Sequence, residues 1–414
     1  MIDQAMAGEI DTRFGALLRR FRTDYGLTQR MLADLSTISE RAIRDLEQGK
    51  AQPRAGTVRL IAEALRLGRQ ARTSLERAAN GGRARLGLDA ELATPPTVLD
   101  TMVGRAVEAA ALTAELADGA SRLITISGLP GVGKTRLAIE IAHSLQATTG
   151  MPVPWLGATD SPVRDRRLAG LLHGCSAALY GRAGTADLAE LTSLIADRDA
   201  LLVLDGDRPR AEPLLHMLAE CPRLRVLITA TRPGGIVGER LFLLNPLATP
   251  DPDLVEPRLL EDVPSVRLFL DHVHRARPGY ELTRADAPVV AEICELVDGL
   301  PPALISAAAW LAVYDLVPLC RMLRADPAAV VGNALLAQLA ERVRTLPVAA
   351  HRALATLSEL GTDFTIDDVV TSTGRSVADA GLLLRQLLQH GVIRVRQADG
   401  QSRFQVLALI RALP

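Results

Sequence analysis

The sequence predicts a multidomain chain, mainly α with one α/β domain in its middle. Three observations predict it. Strand-like apolar runs alternate with helical stretches only between about residues 101 and 247, which implies a parallel sheet joined by crossover helices. The first 80 residues read as short amphipathic helices, and from about 260 to 340 only helical periodicity appears. The final segment ends in two strand-like runs around a polar turn at Asp399-Gly400, the pattern of a small hairpin.

Composition narrows the function classes. Of 414 residues 48% are apolar but only 3% aromatic, so several cores must be built from Leu, Val, Ile and Ala. The net charge of −1 excludes a global field that would mark a nucleic-acid or membrane binder. Cys175, Cys221, Cys294 and Cys320 are far apart and lack C-x-x-C spacing. That argues for a reducing compartment, with no disulfide frame and no zinc site. The N-terminus is polar and charged, unlike a signal peptide. The longest apolar run, near Ala303 to Tyr314, is too short to span a bilayer. A soluble cytoplasmic protein with no membrane partner is expected.

The neutral average hides an asymmetry. From Arg13 to Arg85 there are 16 Lys or Arg against 7 Asp or Glu, leaving the rest of the chain acidic. A compact basic module on an acidic body is the footprint of a nucleic-acid binder. Within residues 1–80, Leu17, Leu18 and Phe21 line one face of a first helix, which Gly26 ends. Thr28 caps a second helix through Leu35, and Ser39 caps a third, Glu40 to Gln48, closed by Gly49. Pro53 interrupts, and Val58, Ile61 and Leu65 line a fourth. Short helices around a tight Ser36-Thr37 turn suit a helix-turn-helix. The third helix turns Ile43 and Leu46 inward, which frees Glu40, Arg41, Arg44 and Asp45 to face a groove. A basic helical bundle that binds a protein is the competing interpretation.

The stretches Gly26-Leu-Thr-Gln-Arg-Met-Leu-Ala33 and Ile38-Ser-Glu-Arg-Ala-Ile-Arg-Asp-Leu-Glu-Gln-Gly49 resemble the Cro/repressor-type (XRE) helix-turn-helix family. The resemblance implies double-stranded DNA as partner. Gln29 would contact backbone phosphate. Ser39 and Glu40 would open the recognition helix, and Arg41 and Arg44 would approach base edges in the major groove. Lys50 and Arg54 would add phosphate contacts. Residues 81–100 follow as a linker, opened by Gly81-Gly82 and broken by Pro95-Pro96.

The chain has only two lysines, and one stands in Gly128-Leu-Pro-Gly131-Val132-Gly133-Lys134-Thr135. This is the G-x-x-x-x-G-K-[ST] pattern of a P-loop, between a strand-like Arg122 to Ser127 and a helical Arg136 to His143. Such a loop curls successive N–H groups around phosphates, and the helix behind it adds its positive end. Lys134 would reach the β- and γ-phosphates, where a compact ammonium fits and a planar guanidinium does not. Thr135 would place its hydroxyl on Mg2+. The alternative is a bland glycine turn. Further strands are expected at 152–156, 201–205, 225–230 and 241–244. Asp205, ending an apolar run, would hold the metal, against the plainer role of a turn aspartate. Arg232, at the end of the next strand, would sense the γ-phosphate or simply be a surface arginine.

Met102-Val103-Gly104-Arg105 before the loop and Asp298-Gly-Leu-Pro301 after it complete an ordered set. Together these motifs resemble the signal-transducing NTPases of the STAND class, specifically NB-ARC-like ATPases of bacterial regulators. The resemblance implies ATP or ADP with Mg2+ as cofactors. It divides the rest into a P-loop nucleotide-binding domain at 101–247, a helical lid at 248–342 and a winged helix at 343–414. Val103, Gly104 and Arg105 would line the adenine end, and Pro301 would touch the base. Gly128, Gly131, Val132, Gly133 and Arg136 would surround the phosphates with Lys134. Relatives often carry a second acid or Asn directly after the metal-binding aspartate. Here that position is Gly206, with Asp207 one residue later. Asp205 and Asp207 are the candidate catalytic acids, and hydrolysis is expected to be slow. The His-Asp pair that holds ADP in many relatives falls here on Leu407-Ala408. The sequence stops at Pro414 without the superhelical repeats common in the class, so either the signal enters another way or the version is shortened.

The function expected from these features is nucleotide-dependent transcriptional regulation. The ATP/ADP state would control domain packing and the access or pairing of the helix-turn-helix, with a homo-oligomer as the active form. The rival expectations are an oligomerising signalling scaffold and a true ATPase remodeller.

Overall fold

The structure is a computed structural model. It describes residues 12–51, 53–67, 72, 75, 79, 95–98, 100–157, 173, 175, 178–180, 186–206, 209–232, 234–251, 256–361, 363–398 and 400–413. The chain is multidomain and mainly α, with one α/β domain.

The described residues begin with the helices α1 (Thr12–Asp24), α2 (Gln29–Ser36), α3 (Glu40–Glu47) and α4 (Ala55–Ala64). The starts of α2 and α3 are fixed by their caps. The Thr28 hydroxyl accepts from Met31 N at 3.1 Å and the Ser39 hydroxyl from Ala42 N at 3.2 Å, each satisfying a donor the helix cannot. Thr37 turns the chain between them with a left-handed backbone, φ 58. Phe14, Leu18, Leu32, Ile43, Leu46, Val58, Ile61 and Leu65 form a core separate from the two other buried clusters. On α1 the deepest residues are Phe14 and Leu18, while Leu17 and Phe21 are only partly buried. The linker expected over 81–100 lies mostly outside the described residues.

The α/β domain comprises α5 (Ala106–Asp118), β1 (Leu123–Ser127), α6 (Lys134–Thr149), β2 (Trp155–Gly157), α7 (Ala186–Ile195), β3 (Ala200–Asp205), α8 (Ala211–Glu220), β4 (Leu224–Ala230) and β5 (Arg240–Leu243). All five strands are parallel in the order β2-β3-β4-β1-β5. Strands β1, β3 and β4 read as continuous apolar runs because both sheet faces are covered. Strand β2 begins later than the sequence suggests. Pro152 and Pro154 have no N–H to give to a ladder, yet their carbonyls still accept from Leu201 N and Val203 N of β3.

Helices α9 (Pro257–Glu261), α10 (Pro264–Ala276), α11 (Ala287–Leu296), α12 (Pro301–Trp310), α13 (Leu316–Ala325), α14 (Pro327–Val331) and α15 (Asn333–Arg344) follow. Then come α16 (Val348–Ser358), α17 (Ile366–Thr373), α18 (Val377–Gln389), the antiparallel pair β6 (Ile393–Ala398) and β7 (Gln401–Val406), and α19 (Ala408–Arg411). Phe364 bridges to Phe404 and tethers the hairpin to the helices. One buried cluster runs from Ile124 and Leu137 through Phe269, Ile293 and Leu304 to Leu357, Leu387 and Leu409. The sheet face behind the Gly128–Thr135 loop therefore shares its core with both later helical regions.

Among the described residues no helix is long and apolar enough to cross a membrane. The four cysteines are buried thiols, and burial pushes Cys175 and Cys294 up to about 12.

Candidate functional site

Strand order builds the central site. Strand β4 lies between β1 and β3, with Ser127 opposite Ala230 and Thr229 opposite Asp205. The carboxyl ends of all three strands thus meet where α6 begins, which is where open α/β sheets take ligands. The Gly128–Thr135 loop crosses this edge. Gly131 and Gly133 adopt φ 77 and φ 103, conformations closed to most side chains, and Gly133 is the N-cap of the 16-residue α6.

The polar groups converge there. Lys134 Nζ donates to the carbonyls of Gly128 at 3.0 Å and Leu129 at 2.8 Å, so the ammonium lies over its own loop. Thr135 Oγ1 donates to Asp205 Oδ1 at 2.7 Å, and Thr229 Oγ1 donates to the same oxygen at 2.5 Å. An ammonium, a helix N-terminus and a hydroxyl–carboxylate pair suit a polyphosphate carrying a hard divalent ion. Among the described residues no three His, Cys, Asp or Glu cluster as a metal cage. Magnesium here would rest on Thr135, Asp205, water and phosphate oxygens, as Mg2+ commonly does. Val132 is buried beneath the loop. Asp207 lies outside the described residues.

The other expected nucleotide residues are distributed as follows. Gly104 packs on Pro264 and Leu247. Arg105 is buried and serves the fold: it donates to Glu108 Oε1 at 3.0 Å and to the Asn245 carbonyl. Val103, between Met102 and Gly104, is half-buried. Arg136 donates to Glu140 at 3.3 Å and to the Asp100 carbonyl. Pro301 opens α12, and the next residue, Pro302, lies against the loop. A Cβ at Gly131 would lie 2.8 Å from Pro302 Cγ. Arg232, just beyond β4, is half-buried and in no ion pair among the described residues.

A contact that sequence inspection missed ties the helical region to the chain end. Asp298 is fully buried with a left-handed backbone, φ 55. Its two carboxylate oxygens accept from Ala408 N and Leu409 N, each at 2.8 Å. Ala408-Leu409 therefore presents backbone donors to a carboxylate as α19 begins. Burial pushes the Asp298 carboxyl up to about 6, outweighing Arg394, the two N–H groups and Arg411. The folded value lies above the ordinary 3.8. The stability linked to this group is thus full below 3.8 and is lost as pH rises through about 6. Asp298→Asn should abolish that part of the pH slope in urea denaturation. At pH below the transition, where both side chains are neutral, it should also cost about 1–3 kcal/mol, because one N–H loses its acceptor. An unchanged slope would separate Asp298 from this linkage.

The second candidate site is the helix-turn-helix. Arg41 and Arg44 are exposed on α3 and pair along their own helix, Arg44 with Glu40 at 3.1 Å and Arg41 with Asp45 at 3.9 Å. Exposed pairs of this kind are weak and readily exchanged for phosphate or base contacts. Lys50 and Arg54 are exposed beyond α3. Ser39 is occupied as a cap. Gln29 is occupied too: its amide donates to Glu47 Oε2 at 2.8 Å. Glu47 also accepts from Arg22 Nε at 2.6 Å and Nη2 at 3.1 Å, and Arg22 Nη1 donates to the Leu27 carbonyl at 2.7 Å. This network joins α1, α2 and α3. A signal for it exists in the sequence, since Glu47 falls one turn after Ile43 and Arg22 one turn after Leu18, both on inward stripes.

Residues 13–75 match the helix-turn-helix domain family. Over 193 residues the chain is 30% identical to Rv0890c of Mycobacterium tuberculosis, a protein named for HTH-type transcriptional regulation; the match covers 46% of this chain and 20% of that one. Over 221 residues it is 31% identical to the uncharacterized protein Rv0894 of the same organism, covering 51% of each. The chain thus spans a fifth of the first relative and about half of the second. A similar solved structure is PH0952 of Pyrococcus horikoshii, a signal transduction ATPase with numerous domains (STAND) and a tetratricopeptide repeat sensor. It is 17% identical at a TM-score of 0.33, covering 78% of this chain and 44% of that one.

Proposed function

We propose that the chain is a nucleotide-dependent, DNA-binding transcriptional regulator of the STAND, NB-ARC-like kind. Its XRE-type helix-turn-helix reads double-stranded DNA, and ATP or ADP with Mg2+ on the P-loop governs whether it does so. The observation that carries the nucleotide part is the meeting of Lys134, Thr135, Thr229 and Asp205 at the ends of β1, β3 and β4. The DNA part rests on the matched N-terminal domain with its exposed Arg41 and Arg44.

The lid and the C-terminal winged helix meet the P-loop at seams where nucleotide can act. Pro302 abuts Gly131, and Gly391 abuts Leu129. When bound, a Mg2+–nucleotide supplies phosphate charge at these seams. Ligand-driven opening works only through different affinities for the two arrangements. Shifting a few percent active to mostly active takes about 3–5 kcal/mol of such difference. Gly206 after Asp205 favours a slow switch over a motor. The active form is a cytoplasmic homo-oligomer whose paired readers take half-sites about one helical turn apart.

The decisive experiment is selection of genomic DNA by the purified protein with ATP, with ADP and without nucleotide. One operator set whose affinity depends on nucleotide is expected; an affinity indifferent to nucleotide would sink the coupling. Arg44→Ala should weaken binding by about 1–3 kcal/mol at a single base position. A uniform loss across sequences in a binding array would instead make Arg44 a phosphate contact.

A further inference from the structure

Residues 95–98 and 100–102 lead from the expected linker into the α/β domain and belong to no helix or strand. They are nevertheless held in place. Pro95 is buried, and Val98 and Met102 pack on the central core. The Pro96 carbonyl lies 3.2 Å from His143 Nε2 of α6. Asp100 is gripped from two sides. Its carbonyl accepts from Arg136 Nη2, and its carboxylate Oδ1 accepts from Arg275 Nη2 of α10 at 3.0 Å.

The two arginines come from different regions. Arg136 directly follows Thr135, so the first turn of α6 sends one side chain to Asp205 and the next to this strap. Arg275 stands near the end of α10, in the helical region after the sheet. Little else fixes the strap. Among the described residues its backbone makes no hydrogen bond to other backbone. A cleft of about 630 Å3 separates it from α5 and α6, with Val98, Met102, Ala109, Thr113 and His143 among its walls. The Thr113 hydroxyl there is buried and has no hydrogen-bond partner. The Arg275 and Asp100 side chains are 56% and 64% exposed, and pairs of that kind are weak. A segment with few contacts over unfilled space opens at small cost.

We propose that this strap is a latch between the lid and the DNA reader, with Asp100 as its catch. The inference rests on the nucleotide-driven function above and supplies the route from lid to reader. With Arg275 on Asp100 the reader is tied down at Pro95. Lid movement takes Arg275 away, the strap lifts, and residues 95–102 join the tether. At about 3.3 Å per residue they add roughly 25 Å of reach, a large part of the ~34 Å between half-sites one helical turn apart. Seated straps therefore restrain the pairing of readers, and lifted straps permit it.

The test uses the full chain carrying Val98→Cys as a reporter. The four native cysteines are buried, so a thiol reagent follows the strap. Without nucleotide, Arg275→Asp should speed labelling up to about fivefold, the worth of an exposed ion pair. It should raise affinity for sheared genomic DNA by a similar factor. Asp100→Arg combined with Arg275→Asp keeps the net charge and reverses the pair, and should restore both values. A non-hydrolysable ATP analogue should speed labelling in the reporter protein and in the reversed pair, but add little in Arg275→Asp. Labelling indifferent to Arg275→Asp, or faster labelling with unaltered DNA affinity, overturns the latch and leaves the P-loop interpretation standing. A rate indifferent to the analogue, in protein that titration shows to bind it, does the same. Protein that binds no nucleotide overturns both.

Discussion

Lys134→Ala is expected to lower ATP affinity by about a hundredfold to ten-thousandfold while the protein stays folded. The ammonium lies at the start of α6 and over the carbonyls of Gly128 and Leu129. With nucleotide it would exchange these neutral acceptors for β- and γ-phosphate oxygens. Each charge-assisted bond is worth about 1.5–3 kcal/mol, so two amount to about 3–6 kcal/mol, and every 1.4 kcal/mol is about tenfold in affinity. The fold should survive, because the apolar core behind the loop does not involve this side chain. Lys134→Arg should fail to restore binding, since a guanidinium is too broad for a pocket shaped to an ammonium. That variant is informative in a chain where only two of 47 basic residues are lysine. Isothermal titration with ATP, beside thermal melting without it, separates the outcomes. Affinity within a few-fold of wild type in a folded Lys134→Ala would remove the loop as the seat of the nucleotide.

What could be foreseen from sequence follows the range of the forces involved. Caps and strands are local, so Thr28, Ser39 and the runs ending at Ser127, Asp205 and Ala230 stand within a residue or so of where the structure places them. Strand β2 starts late because Pro152 and Pro154 interrupt its donors, which is also a local rule. The longer-range partnerships were not legible. Asp298-Gly-Leu-Pro reads as a turn, and nothing nearby announces that its carboxylate closes on Ala408 and Leu409, more than a hundred residues on. Gln29 and Arg105 invite ligand roles by motif, yet both are hydrogen-bonded inside the fold. Pattern matching assigns a residue type to a position, and only packing decides which partner it meets.

Glu47→Ala should abolish DNA binding by unfolding the N-terminal domain, without altering the nucleotide site. The side chains of Arg22 and Glu47 are only 12% and 3% exposed, so their charges are largely out of water. Removing one partner of such a pair costs about 3–5 kcal/mol, chiefly because the other charge is left buried and uncompensated. Here Arg22 would keep the Leu27 carbonyl but lose its bidentate acceptor, and Gln29 would lose its acceptor as well. A domain this small has only about 5 kcal/mol or less from a single core, so the loss approaches its whole stability. Its core is separate from the clusters around the sheet, which confines the damage. Amide hydrogen exchange on the full chain should therefore show protection lost across α1 to α4 and retained in β1, β3 and β4, with ATP affinity unchanged. A paired change, Arg22→Met with Glu47→Leu, replaces the ion pair by apolar packing and should recover much of the stability. Recovery of DNA binding in the pair would show that the network acts on the fold, whereas stability without DNA binding would give Arg22 or Glu47 a direct part in the interface. Persisting protection in α1 to α4 of Glu47→Ala would refute the buried-pair account itself.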